Sequence, residues 1–89
     1  MTGLDRRLNL FRPDLADVRL RGRVQAERYG TGEPASVIAP VADVKSAPDA
    51  AAGMDTQLLL GDAVDVFERR NGWAWVQARR DRYVGYVPT

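Results

Sequence analysis

The chain of 89 residues contains no cysteine and no histidine. Without cysteine there is no disulfide framework, no thiolate nucleophile and no zinc–thiolate site. Without histidine, the usual general base near neutral pH and the commonest metal ligand are both missing. Catalysis by this chain alone is therefore not expected, and neither is a metal or a cofactor. Aromatic residues are only 8% of the total, so the core has to be modest. No apolar run approaches the roughly 20 residues of a membrane span, and residues 1–7 run into polar positions and Pro13 without the apolar stretch of a signal peptide. If Met1 is the native start, the chain reads as cytoplasmic. Its net charge of +1 supplies no field that would steer nucleic acid or a membrane surface, so neither is expected as a partner.

What is present is strand periodicity. In Asp62-Ala63-Val64-Asp65-Val66-Phe67-Glu68, Ala63, Asp65 and Phe67 alternate with Val64, Val66 and Glu68, the period of two that predicts a β-strand. After Asn71-Gly72 the alternation resumes, with Trp73, Trp75 and Gln77 on one face and Ala74, Val76 and Ala78 on the other. Asn-Gly suits the positive backbone angles of a two-residue hairpin turn. Beyond Arg79-Arg80-Asp81-Arg82, the run Tyr83-Val84-Gly85-Tyr86-Val87 is rich in β-branched and aromatic residues. Pro88, which has no amide hydrogen to donate, should end it.

Upstream the signals are shorter. Pro13, Asp14 and Asp17 favour the start of a short helix over residues 14–20, with Leu15 and Val18 on one face. A single turn or two is unstable alone and has to dock on something. Residues 23–29 can extend as a strand, residues 30–34 form a turn, and residues 35–39 make another strand. Pro40 and Pro48 bracket residues 41–45, a short or edge strand. Residues 46–57 read as a small-residue loop before the chain returns to the sheet at residues 58–62. Residues 1–30 carry seven arginines against four acids, and residues 31–89 carry six basic residues against eight acids. The plain reading is a solvated basic arm, residues 1–30, on a slightly acidic barrel, residues 31–89.

Four motifs in order resemble the bacterial SH3 domain that precedes the catalytic domain of NlpC-like cell-wall cysteine peptidases. They are Ala39-Pro40-Val41-Ala42-Asp43-Val44, Asp55-Thr56-Gln57-Leu58-Leu59-Leu60-Gly61, Gly72-Trp73-Ala74-Trp75-Val76-Gln77 and Tyr83-Val84-Gly85-Tyr86-Val87-Pro88. The pattern is most similar to that of γ-D-glutamyl-L-diamino-acid endopeptidases, the dipeptidyl-peptidase VI-like enzymes, over about residues 4–88. The resemblance implies a small all-β SH3-like barrel with residues 46–57 as its RT loop, and an N-terminal arm holding a short helical turn. It implies a noncatalytic module whose partners are a downstream cysteine peptidase domain and a murein stem peptide. In that family the SH3 domain helps form the pocket for the peptide's free N-terminal amine. Tyr83 matches the family's pocket tyrosine, and Asp55 matches an acid of the RT-loop region, where the endopeptidase pattern often has glutamate. An ammonium group needs such an anionic acceptor and a further oxygen, and charge-assisted bonds are about twice as strong as neutral ones. Trp73, Trp75 and Tyr86 are candidates for the interface with the peptidase domain.

Two other functions fit a small barrel. A proline-rich-peptide adaptor needs a row of aromatics beside RT-loop acids, and residues 39–45 contain no tyrosine to begin one. A nucleic-acid-binding barrel calls for a basic stripe and a pI above about 9, against a value of about 8.2 here.

Overall fold

The computed structural model of the protein describes residues 5–89. Its strands are β1 (Leu15–Asp17), β2 (Arg28–Gly30), β3 (Glu33–Ser36), β4 (Val41–Lys45), β5 (Met54–Leu59), β6 (Ala63–Arg70), β7 (Trp73–Ala78) and β8 (Val84–Pro88), with one 3-10 turn at Val18–Leu20. The last six form a single antiparallel sheet in the order β3-β6-β7-β8-β4-β5, while β1 and β2 pair as a small parallel ribbon. This is the all-β fold that the alternation predicts, in the SH3-like arrangement that the resemblance implies.

The sheet curls through the twist of its strands and the register shifts in β4 and β6. Val44, Leu58, Val64, Val66, Ala74, Val76 and Ala78 meet inside as one buried cluster, drawn from β4, β5, β6 and β7. The edges come together where backbone bonds link residues 37–40 to residues 60–62: Val37 N to Asp62 O (3.0 Å), Gly61 N to Val37 O (2.8 Å) and Leu60 N to Pro40 O (3.2 Å). Residues 37–40, expected partly as strand, turn the chain instead so that these bonds can form. Gly85 allows β8 to lie against β4 there, since a Cβ on it would strike Val44 Cγ1 and come within 2.8 Å of the Lys45 carbonyl oxygen.

Several expected boundaries shift. The helix predicted over residues 14–20 contracts to Val18–Leu20, capped by the Asp17 carboxylate, which accepts from Arg19 N. Residues 15–17 are extended because pairing with β2 buries all three, which a lone helical turn would not do. The strand expected over residues 23–29 is confined to β2; Val24 turns inward, and the Tyr29 hydroxyl donates to its carbonyl at 2.7 Å. Glu33 and Pro34, read as turn, begin β3, an edge position where a missing N–H is tolerated. β4 is short as expected, yet lies inside the sheet between β8 and β5. The loop read as residues 46–57 ends sooner, since β5 starts at Met54.

The largest departure is the N-terminal segment. It was expected as a solvated basic arm, and it packs on the outer face of β7 and β8. Leu10 and Leu15 join Trp75 and Val84 in a second buried cluster, and Ala16, Leu20 and Val24 form a third behind it. The backbone continues this docking, with Val84 N donating to Arg7 O at 2.7 Å and Asp17 N to Leu10 O at 3.0 Å. No helix among the described residues is long and apolar enough to cross a membrane.

Candidate functional site

The β6–β7 hairpin organises the outer face. Asn71 and Gly72 adopt φ of +52° and +81°, and Arg70 pairs with Trp73 across them, giving the tight turn that the sequence predicts. Between Val66 and Glu68 the register slips by one residue: Val66 opposes Val76, whereas Glu68 opposes Trp75. The extra residue is Phe67, and such a bulge bends the strand and reverses its facing. Simple alternation groups Glu68 with the inward-facing Val64 and Val66. The bulge moves its carboxylate to the outer side, beside Trp75.

Arg12 meets it there. Residues 11–16 fold into a tight loop, closed by Arg12 N donating to Leu15 O at 2.8 Å, with Pro13 and Asp14 at its tip. All five guanidinium N–H groups are used. Nε and Nη2 donate to the two Asp14 oxygens (2.9 Å each), Nη1 and Nη2 to the two Glu68 oxygens (2.8 and 2.9 Å), and Nη1 also to the Tyr86 hydroxyl (3.1 Å). The guanidinium carbon lies 4.2 Å from the Trp75 ring centroid, and Tyr86 stacks on that indole at 6.0 Å and 15°. Hydrogen bonding to Glu68 holds Arg12 protonated well above the ordinary arginine range. The same bonds from Arg12 lower the carboxyls of Glu68 and Asp14. The arrangement is a clasp whose donors are saturated by its own chain, and it fixes the N-terminal segment to the barrel.

A second polar set stands behind it. The buried Gln77 donates through Nε2 to the carbonyls of Leu8 and Arg82 at 3.0 Å each, and its Oε1 accepts from Arg19 Nη2 at 3.3 Å. Asp17, also buried, accepts from Arg19 Nε at 2.8 Å.

The residues expected at a ligand site divide into two groups. Asp55 is exposed on β5 rather than in the loop, and Tyr83 is half-buried just before β8. Among the described residues neither side chain makes a hydrogen bond. Both lie near one cation: Arg7 is held protonated chiefly by its hydrogen bonds with Asp5, it shares a cleft with Asp55, and its carbonyl binds the amide of Val84, the residue after Tyr83. Arg7, Ser46, Asp55, Val84 and Tyr86 line a cleft of about 170 Å³. Of the expected interface residues, Trp75 is only 4% exposed. Its cover is intramolecular, made by Arg12, Leu10 and Tyr86, so it presents almost no surface to a partner. Trp73 and Tyr86 are half-buried and line a second cleft with Arg12, Glu68 and Arg70.

The inside of the curled sheet opens to solvent as a larger apolar trough of about 1030 Å³, lined by Val37, Ile38, Val41, Val64, Val76 and Val87 among others. Ile38 on its lip is 91% exposed. Among the described residues no group of three or more acidic side chains could hold a metal ion. The Arg12 clasp is the feature that sequence reasoning missed. Arg12 and Asp14 are neighbours, but nothing local signals a partner at Glu68, 56 positions away.

Searches of curated proteins and of solved structures return no match to the chain. A family model does match, over residues 44–89, described as the bacterial dipeptidyl-peptidase SH3 domain. The match runs from the end of β4 through the hairpin, the outer-face aromatics and β8, including Asp55 and Tyr83, and covers just over half the chain, which belongs to that family.

Proposed function

We propose that the protein is the noncatalytic SH3-like module of a murein-peptide cysteine endopeptidase, contributing to recognition of the substrate's free N-terminal amine and packing on the catalytic domain. Family membership carries this reading, because the family's description ties such barrels to a peptidase. The absence of cysteine and histidine agrees with a role other than bond cleavage. Asp55 and Tyr83 are the amine's acceptors in this proposal. Arg7 supports it, since it shares a cleft with the Asp55 carboxylate, and a position that already holds one cation suits another. An incoming ammonium competes with Arg7, whose side chain is largely exposed and, among the described residues, is tied only to Asp5, so displacement is sterically simple. The apolar trough with Ile38 and Val41 on its lip is the surface offered to the peptidase domain, together with half-buried Trp73 at its edge.

The test uses the module in one polypeptide with its peptidase domain. Asp55→Asn and Tyr83→Phe are expected to weaken selection for a free over an N-acetylated stem peptide, by up to about five-fold for Asp55→Asn, since an exposed ion pair is worth about 0.2–1 kcal/mol. Equal discrimination by variant and wild type refutes the assignment.

A further inference from the structure

The cleft between the tip of the β6–β7 hairpin and the loop of residues 46–53 has no part in the amine reading. It measures about 320 Å³ and is walled by Trp73, Trp75 and Pro48, with Tyr86, Arg70 and Asn71 around it. Its hydrogen-bonding groups are unbalanced. The Glu68 carboxylate is committed, both oxygens holding Arg12. The Tyr86 hydroxyl accepts from Arg12, and no acceptor among the described residues takes its own proton. Arg70 makes no ion pair or hydrogen bond among the described residues, and the Asn71 side chain is likewise uncommitted. The cleft thus offers unused donors from three side chains, two of which, Arg70 and the Tyr86 hydroxyl proton, face no protein acceptor among the described residues.

We propose that this cleft binds the carboxylate of a short peptide's C-terminus, with Arg70 and the Tyr86 hydroxyl as donors to the anion and Trp73 and Pro48 as walls for the last side chain. A carboxylate supplies only acceptors, which matches the imbalance. A saccharide also brings hydroxyl protons, and for these the cleft has only the Asn71 amide oxygen and the lone pairs left on a carboxylate already bound to Arg12. Arg12 itself is a structural support here, since its five donors are occupied. Counting Arg12, Arg70, Glu68 and Asp14, the neighbourhood is neutral, so the attraction comes from directed donors rather than a net field. Affinity in the millimolar range follows from so open a site. The inference uses neither Asp55 nor Tyr83 and stands apart from the amine reading.

The experiment is an NMR titration of the 89-residue chain with N-acetyl-leucyl-alanine, with its C-terminal amide, and with tri-N-acetylchitotriose. The acid is expected to shift the Trp73 indole and the Arg70 and Asn71 amides, and to bind about five-fold more tightly than the amide, as an exposed charge-assisted bond implies. Arg70→Gln, at an exposed position, should lower acid affinity by about five-fold while leaving the spectrum unchanged outside the cleft. Tyr86→Phe should lower it with Trp75 still stacked. Equal binding of acid and amide overturns the proposal. So does an unchanged affinity in Arg70→Gln, binding of the saccharide in place of the acid, shifts confined to Asp55 and Tyr83, or no shift at roughly 20 mM acid.

Discussion

Replacing Arg12 by alanine removes five hydrogen bonds and the cation over Trp75 in one step. The Glu68 side chain, 19% exposed, is left facing an indole with no hydrogen-bonded counter-charge, Arg70 acting on it only through space. Breaking a fully buried pair from one side costs about 3–5 kcal/mol; here both partners keep about a fifth of their exposure, which lowers the figure, while the lost cation–π contact adds about 0.5–2 kcal/mol. The expected loss is about 2–4 kcal/mol, a large part of the roughly 4–13 kcal/mol available to a domain of this size. Urea unfolding followed by tryptophan emission measures it. Trp75 should move toward water in the native baseline, seen as a red shift and easier iodide quenching, if the segment also loosens locally. Arg12→Lys keeps the charge but cannot reproduce the planar fork, so it should recover less than half of the loss. A double-mutant cycle with Glu68→Gln should give a coupling energy above about 1 kcal/mol. A loss below about 0.5 kcal/mol in Arg12→Ala, with unchanged emission, would refute the clasp as the segment's fastening.

Gly85→Ala should destabilise by about 1–3 kcal/mol, the usual cost of forcing an atom into a packed site, because its Cβ meets Val44 Cγ1 and the Lys45 carbonyl; wild-type stability in a thermal melt would remove β8's close crossing of β4 from the account of the fold. Stability should be level from about pH 8 to pH 5.5, since no histidine or cysteine is present to titrate there. Glu68, Asp14 and Asp65 are held below their ordinary values of 4.5, 3.8 and 3.8 by hydrogen bonds from Arg12, Arg12 and Arg79. A depressed carboxyl contributes stability that is complete above its ordinary value and lost as the pH falls through its folded one, so melting temperature should drop below about pH 4.5. A maximum near pH 4 contradicts that sign.

How much of this was legible in the sequence depended on whether the information was periodic. Ala74, Val76 and Ala78 alternate with Trp75 and Gln77, and the structure places the first set in the barrel core and the second beneath the N-terminal segment. Asn71-Gly72 marked its turn by conformational need, and the turn is there. Alternation fails wherever the phase changes without a marker. Val66-Phe67-Glu68 contains no glycine or proline, yet one residue bulges out and every later side chain on β6 changes face. That slip turns Glu68 outward to Arg12, and hence turns a basic arm into a docked one. It also explains why Trp75, expected at the interface with a peptidase domain, is covered from within the chain. Once Trp75 is withdrawn, the outer-face aromatics left within reach of a ligand are Trp73 and Tyr86, and the hydroxyl of Tyr86 is already oriented by its bond from Arg12. The segment that buries one aromatic therefore also positions the donor of the next, so the chemistry available to a ligand on this face is set by residues that lie outside the family match.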